Sequence, residues 1–221
     1  MPNPIISIII PVFNGEKFLK RCFKTINAQN YNCLDIIFID NNSTDGTQEL
    51  VQEFYNDTSN LTYINLGENR GGAGGFNAGV KWAYKNGYEW VWLMDDDVEP
   101  EENCLEIMNK FTSDSKCIHP TKRYSENGKV FNWEGYLNES SSFSVRYPTE
   151  KFRKEEFTTV NMGCFEGMLI HKEIIEKIGF PDERFFIAGD DLIYGFLASK
   201  HTPVYYLSCL LYTSDAADEE D

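Results

Sequence analysis

Asp95, Asp96 and Asp97 stand in an unbroken row directly after the apolar run Trp90–Met94. Adjacent carboxylates repel, so a strand end gains nothing from the triplet unless a cation compensates it. In an extended backbone Asp95 and Asp97 point to the same side and could share one hard divalent ion. Mg2+ takes one or two carboxylates and completes its shell with water and substrate phosphates. A phosphorylated substrate held through a divalent metal is therefore the chemistry to look for. Taken alone, the triplet fits a solvated acidic turn equally well.

A second cluster lies upstream, in Asn69-Arg70-Gly71-Gly72-Ala73-Gly74-Gly75-Phe76-Asn77-Ala78-Gly79. Five glycines within residues 71–79 let a ligand approach the backbone and leave a helix N-terminus open to an anion. The run is neither a dinucleotide fingerprint, since Asn77 stands where the third glycine belongs, nor a P-loop, which needs Gly-Lys-Ser/Thr. A tight turn before a helix is the plainer alternative. Arg70 favours the anion, because a guanidinium beside glycine backbone suits a diphosphate.

These clusters need elements to position them, and the first hundred residues alternate strand and helix patterns. Ile5–Ile10 is an apolar run of strand length closed by Pro11. Glu16–Gln29 places Phe18, Leu19, Cys22, Phe23 and Ile26 on one helical stripe. Leu34–Ile39 predicts a second buried strand ending at Asp40. Ser43-Thr44-Asp45-Gly46 then offers caps for a helix with Leu50, Val51, Phe54 and Tyr55 inward. Leu61–Leu66 predicts a third strand, Gly74–Asn86 a helix stopped by Gly87, and Tyr88–Met94 a fourth strand. Such repetition calls for a mostly parallel, Rossmann-like α/β sheet with helices on both faces and ligands at the carboxyl ends of the strands. Asp40, Asn69 and Asp95–Asp97 all fall at or just after such ends.

The second half is less regular. Glu101–Phe111 predicts a helix, 116–148 hairpins and loops lining a cleft, and Val160–His171 a strand pair. Short helices follow at Lys172–Ile178 and, after Gly189-Asp190-Asp191, at Leu192–Ser199. The expected organisation is one domain over residues 1–208, with a nucleotide-binding half at 1–100 and an acceptor-binding half at 101–208.

Composition narrows the function. With 221 residues, 42% of them hydrophobic, the chain can build one sizeable core. The formal charge of −15 excludes the basic face that a nucleic-acid partner needs. Six cysteines show no zinc or C-x-x-C spacing and are expected as reduced core thiols. No apolar run is long enough to span a bilayer and no leader pattern opens the chain, so a cytoplasmic protein is expected, at most peripheral to the inner face of the plasma membrane. Residues 209–219, Cys-Leu-Leu-Tyr-Thr-Ser-Asp-Ala-Ala-Asp-Glu, back-translate to an adapter used in transposase-based library preparation. The natural sequence is expected to be cut off near Ser208, leaving the domain incomplete at its C-terminus, with 209–221 an artefact; an ordinary acidic tail is the plainer alternative. Without the five acids of that tail the body holds 30 acids against 20 bases, a charge of −10.

In order along the chain, Ile8-Ile9-Ile10-Pro11-Val12-Phe13-Asn14-Gly15, Ile39-Asp40-Asn41-Asn42-Ser43-Thr44-Asp45-Gly46-Thr47, the glycine-rich stretch and Asp95-Asp96-Asp97 resemble family 2 glycosyltransferases. These are inverting, metal-dependent enzymes of the GT-A fold. Gly-Gly-Ala-Gly-Gly-Phe with a triple Asp is similar to the galactofuranosyl- and rhamnosyltransferase branch. The resemblance covers Ile5 to about Leu207. It implies a nucleotide-sugar donor, Mn2+ or Mg2+, and a glycan or lipid-linked glycan acceptor in surface-polysaccharide synthesis.

Position by position, the resemblance implies that Pro11, Phe13 and Asn14 border the nucleoside and that Asp40 binds the base. Asn69, Arg70, Gly71 and Gly72 would face the donor. Asp95 and Asp97 would hold the metal, with Asp96 turned towards the donor ribose or sugar. Phe185-Phe186-Ile187-Ala188-Gly189-Asp190-Asp191 matches the later acidic motif, whose second acid, Asp191, would be the general base. Asp190 would cap the following helix or lie on the acceptor side, where Trp133, Glu166, Gly167 and Met168 match more loosely. The branch usually offers a downstream histidine as a further metal ligand. None follows Ser208, and His201 stands too close to Asp191 to serve. Two other readings remain open: a catalytically impaired sugar-nucleotide-binding module, and a nucleotidyltransferase of similar fold, whose glycine-rich loop after the first strand Pro11–Gly15 lacks.

Overall fold

A strand buried at every position must be covered on both faces, and the architecture follows from such strands, Ile6–Val12 and Trp90–Leu93 among them, with Leu34–Asp40 nearly as buried beside them. Residues 5–32, 34–57, 60–124, 135–137, 144–146 and 157–213 are described by the computed structural model. The chain runs β1 (Ile6–Val12), α1 (Glu16–Asn27), β2 (Leu34–Asp40), α2 (Thr47–Asp57), β3 (Leu61–Asn65), α3 (Gly71–Lys85) and β4 (Trp90–Leu93). It continues through β5 (Val98–Pro100), α4 (Cys104–Asn109), β6 (Cys117–Tyr124), β7 (Gly135–Leu137), β8 (Ser144–Arg146), β9 (Phe157–Val160) and β10 (Met168–His171). Helices α5 (Lys172–Ile178) and α6 (Asp190–Ser199) and strand β11 (Val204–Thr213) complete it, with a 3-10 turn at Glu183–Phe185.

The main sheet has the order β3-β2-β1-β4-β10-β6-β11-β5, and β9 also pairs with β11. Strands β3, β2, β1 and β4 are parallel, whereas β10 runs antiparallel between β4 and β6. The parallel character is thus confined to the front, plus the β6–β11 pair, and the back is mixed. Alternation divides each buried strand between two cores. Ile6, Ile8, Ile10, Ile36 and Phe38 pack with α1 and α2 through Leu19, Phe23, Ile26, Val51 and Phe54. Ile9, Ile37 and Ile39 meet α3, α5 and α6 through Phe76, Val80, Ile174, Ile175 and Tyr194 on the other face. Each such fully buried side chain contributes about 1.5–3 kcal/mol.

Several expectations change. Val160–His171 is not a strand pair: β9 joins β11, and β10 joins β4 and β6. Tyr55 is exposed, its hydroxyl accepting from the Tyr63 N–H at 2.9 Å. Helix α3 begins at Gly71 instead of Gly74, so the glycine run is its first turn. The expected hairpin region shows β7 paired with β8; Trp133 lies outside the described residues. Strand β11 runs from Val204 to Thr213, with its register on β6 shifting between Tyr206 and Leu210. Cys22, Cys104, Cys117 and Cys164 are buried and outside any disulfide, as expected of core thiols. Among the described residues no helix is long and apolar enough to cross a membrane.

Helix α3 lies close on the sheet because glycines face it. A methyl at Gly79 would overlap Ile9 Cγ2 and come within 3.1 Å of Ile39 Cγ1. Alanine gains about 0.5–1 kcal/mol of helix propensity over glycine, but overpacking a core costs about 1–3 kcal/mol. Ile9 and Ile39 are fully buried and have nowhere to retreat. Gly79→Ala should therefore destabilise by about 1–2 kcal/mol, read as a lower urea midpoint with unchanged slope. A higher midpoint would show that α3 can lift off the sheet without loss.

Candidate active site

The carboxyl ends of β1, β2, β3 and β4 open on one edge, and the loops leaving them are tied together by short polar side chains. Asn14, with φ of 53°, donates its N–H to Ser43 Oγ at 2.9 Å, and its Oδ1 accepts from the Thr44 N–H at 2.8 Å. Gly15 N–H reaches Thr47 Oγ1 at 2.9 Å, and Glu16 Oε2 takes the Gly46 N–H at 3.0 Å. Asp45 caps α2 through the Thr47 N–H at 3.1 Å. Pro11 is buried against α3, while Phe13 and Asn14 are exposed at the rim.

Asp40 is fully buried at the floor of this edge. Its Oδ1 accepts from the N–H and hydroxyl of Ser43 at 2.9 and 2.5 Å. Its Oδ2 accepts from the Tyr63 hydroxyl at 2.6 Å and Asn65 Nδ2 at 2.8 Å. Four donors compensate burial of one charge, as a buried carboxylate requires. Burial, then the bond to Asp40, pushes the Tyr63 phenol up to about 12. Asp40 is thus the knot between β2 and β3, and a ligand reaching it would exchange for one of these donors. Ser43, Tyr63, Asn65 and Asn41, whose Oδ1 accepts from the Arg70 N–H at 3.1 Å, were missed as supporting residues. Asn65 lies opposite Asp40 in the parallel register, a neighbour that the sequence does not reveal.

The glycine-rich turn differs from its sequence reading. Asn69 Oδ1 accepts the Gly71 N–H at 2.8 Å, and the Phe186 carbonyl accepts the Ala73 N–H at 3.1 Å. Two N–H groups of the first turn of α3, those of Gly71 and Ala73, are therefore already bonded. Gly71 has φ of 69°, and a methyl there would lie 2.8 Å from the Phe186 carbonyl carbon, so only glycine admits that chain. Gly72 faces open space. Arg70 is exposed and pairs with Glu68, Nε to Oε1 at 2.9 Å.

Asp95, Asp96 and Asp97 are half-buried at the end of β4. Asp96 leans on the first loop, where a methyl at Gly15 would overlap its Oδ2. Beneath them Cys22 is buried, its thiol 3.8 Å from the Asp95 carbonyl oxygen. Burial first, then the charges of Asp96, Asp97, Glu99 and Asp95, raise its pKa well above the ordinary thiol value. The carboxylates of Asp95, Asp96 and Asp97, crowded at one strand end, are hard oxygen donors of the kind that suits Mg2+ or Mn2+. No group of three His, Cys, Asp or Glu arranged to hold a metal occurs among the described residues. Two aspartates with the rest of the shell left to water and phosphate fit that pattern.

The residues expected on the acceptor side sit one strand away. Gly167 donates its N–H to the Leu93 carbonyl at 2.8 Å, and its own carbonyl accepts from Trp92 Nε1 at 2.9 Å. Glu166 is half-buried beside this junction. Met168 is fully buried in the core, a correction: it supports the site from beneath and cannot face an acceptor. His201 is exposed beyond α6.

Asp190 and Asp191 open α6 but meet different surroundings. Asp191 is half-buried, its Oδ1 taking the Leu192 N–H at 2.7 Å. Asp190 is 6% exposed, and its Oδ2 is buried without a hydrogen-bond partner. Burial, then the neighbouring Asp191 charge, raises the Asp190 carboxyl to about 6. The chain reaches them through Phe186, whose φ of 62° and ψ of −63° are strained for a non-glycine residue. Its carbonyl is the one that caps α3.

The sequence profile described as Glycosyl transferase family 2 matches residues 7–179. The chain is 27% identical over 175 residues to a Campylobacter jejuni GalNAc(5)-diNAcBac-PP-undecaprenol beta-1,3-glucosyltransferase, covering 77% of this chain and 56% of that protein. It is 23% identical over 200 residues to galactofuranosyltransferase GlfT1 of Mycolicibacterium smegmatis, covering 85% and 63%. It therefore spans less than two-thirds of each. Among solved structures, S. aureus TarS in complex with UDP superposes with a TM-score of 0.70 at 17% identity, over 97% of this chain and 61% of that one. GalNAc-T7 with UDP, GalNAc and Mn2+ gives 0.77 at 14%, over 96% and 44%. Those two likenesses establish the GT-A fold.

The buried carboxyl of Asp190 makes a pH prediction. Its pKa is raised from the ordinary 3.8 to about 6, so the folded protein holds the proton more tightly than the unfolded chain between those values. This group's contribution to stability falls as pH rises through that window, and its full cost is present above it. Asp190→Asn removes the cost. Relative to wild type, the variant should be more stable at about pH 7.5 than at about pH 4 by about 1–3 kcal/mol, measured from urea midpoints. A difference that does not change with pH would refute the raised pKa.

Proposed function

The chain belongs to glycosyl transferase family 2, and on that premise we propose that it is a metal-dependent, inverting transferase. It would move a sugar from a nucleoside diphosphate donor to a glycan or lipid-linked glycan acceptor. The observation that carries this reading is the convergence, on one sheet edge, of the acidic triplet with the loops after β1, β2 and β3. The segment bearing Glu166 and Gly167 is hydrogen-bonded to β4 immediately beside them.

In this reading Phe13 and Asn14 border the nucleoside and Asp40 accepts from the base, giving up one of its present donors. Arg70 leaves Glu68 for the diphosphate, and the open backbone at Gly72 admits the donor. Asp95 and Asp97 hold the divalent ion, whose chemistry when bound is to neutralise the charge developing on the departing diphosphate. Asp191, half-buried at the start of α6, takes the proton from the acceptor hydroxyl. That oxygen bonds to the anomeric carbon from the face opposite the breaking bond to the diphosphate, which inverts the centre. Asp190 is the poorer base candidate because its unpartnered oxygen is buried away from solvent. Work at the cytoplasmic face of a membrane fits a lipid-linked acceptor. Family membership argues against the nucleotidyltransferase alternative.

Two variants test the assignment. Against a thermal-shift panel of UDP-, dTDP- and GDP-sugars with and without Mn2+, wild type should be stabilised by one base class in a metal-dependent manner. Asp97→Ala should lose that metal-dependent part; if it kept the wild-type shift, Asp97 would not be a ligand. Asp191→Asn should cut nucleoside diphosphate release by roughly 10²–10⁴-fold with the donor shift unchanged. Should Asp190→Asn be the inactive variant and Asp191→Asn the active one, the two roles are exchanged.

A further inference from the structure

Helix α6 rests on the segment before β10 with no side chain between the two backbones. A methyl at Gly195 would overlap the backbone N and Cα of Gly163 and lie 2.6 Å from the Met162 carbonyl carbon. One at Gly163 would overlap the terminal methyl of Met168, lie 2.7 Å from Gly195 Cα and 3.0 Å from the Asp191 carbonyl oxygen. Apart from the methionine methyl, the obstacles are main chain and cannot rotate away. Glycine is the poorest helix residue short of proline, so local propensity alone would favour alanine in the middle of α6. The close approach is what requires glycine there.

The other end of that segment is fixed to the metal edge. Gly167 N–H is bonded to the Leu93 carbonyl at 2.8 Å, and the Gly167 carbonyl to Trp92 Nε1 at 2.9 Å. Leu93 stands two residues before Asp95. A short rigid path therefore runs from Asp95 through Leu93, Gly167 and Gly163 to Gly195 and Asp191. We propose that the Gly163–Gly195 backbone contact is a spacer that sets the distance between Asp191 and the Asp95–Asp97 edge. Both glycines are positioning residues for the transfer step, a role that rests on Asp191 being the base.

Gly163→Ala is the milder test, since its first obstacle is a flexible methyl; Gly195→Ala is the severe one. Where the single variant does not fold by circular dichroism, Gly163→Ala with Met168→Leu removes the overlap with the methionine methyl, leaves the 2.7 Å approach to Gly195 Cα as the displacement under test, and takes its place. The readout is release of nucleoside diphosphate, with water as acceptor, from the UDP-, dTDP- or GDP-sugar giving the largest Mn2+-dependent thermal shift. Displacing the base should lower kcat at least about tenfold with the donor thermal shift unchanged. In an Asp191→Asn background the same alanine should have no further effect, because nothing is left to position. Wild-type kcat in a folded alanine variant would overturn the proposal. So would an equal fold-loss in the Asp191→Asn background, or a parallel loss of donor binding. Failure of the base assignment itself is read separately, as wild-type turnover in Asp191→Asn before either alanine is introduced.

Discussion

The mutual repulsion of Asp95, Asp96 and Asp97, held together at the end of a strand buried on both faces, is the constraint that the surrounding structure answers. β4 is fixed between β1 and β10, so its carboxyl end cannot drift to spread the charge. The buried Cys22 thiol beneath it is held neutral partly by that field. A site with such a field favours a divalent cation and, through it, a polyanionic substrate. It also disfavours any further carboxylate that is not screened or protonated.

The remaining acids meet that condition in different ways. Asp40 is fully buried, and four donors from Ser43, Tyr63 and Asn65 satisfy its oxygens. Asp190 has an oxygen without a donor, and burial raises its pKa to about 6 instead. Asp191, its neighbour on the same helix turn, keeps an ordinary backbone partner and partial exposure. The proposed division of labour between base and silent neighbour therefore comes from environment, since the two side chains are chemically identical.

The loop from Glu183 to Gly189 joins the two halves of the site mechanically. Its Phe186 adopts a backbone conformation that costs about 1–3 kcal/mol and turns its carbonyl onto the first turn of α3. The same loop leads into Asp190 and Asp191. The start of α3 is thus bonded to the same short loop that leads into the start of α6. Beyond it, the Gly163–Gly195 contact fixes how deeply α6 sits.

The sequence by itself determined the front of the molecule. Predominantly apolar runs at Ile6–Val12, Leu34–Ile39 and Trp90–Leu93 require strands covered on both faces, and loops at their ends must gather Asn14, Asp40, Arg70 and the Asp triplet. Those features depend on neighbours along the chain and on period, which a sequence displays. Only the tertiary structure decided that Met168 is core, that Phe186, more than a hundred residues away, bonds the first turn of α3, and that Asn65 completes Asp40. It also decided that Val160–His171 separates into strands with different partners, and that Asp190 faces inward while Asp191 stays half-exposed. Adjacent helix positions differ by about 100° in direction, and nothing local says which of two aspartates the packing will bury.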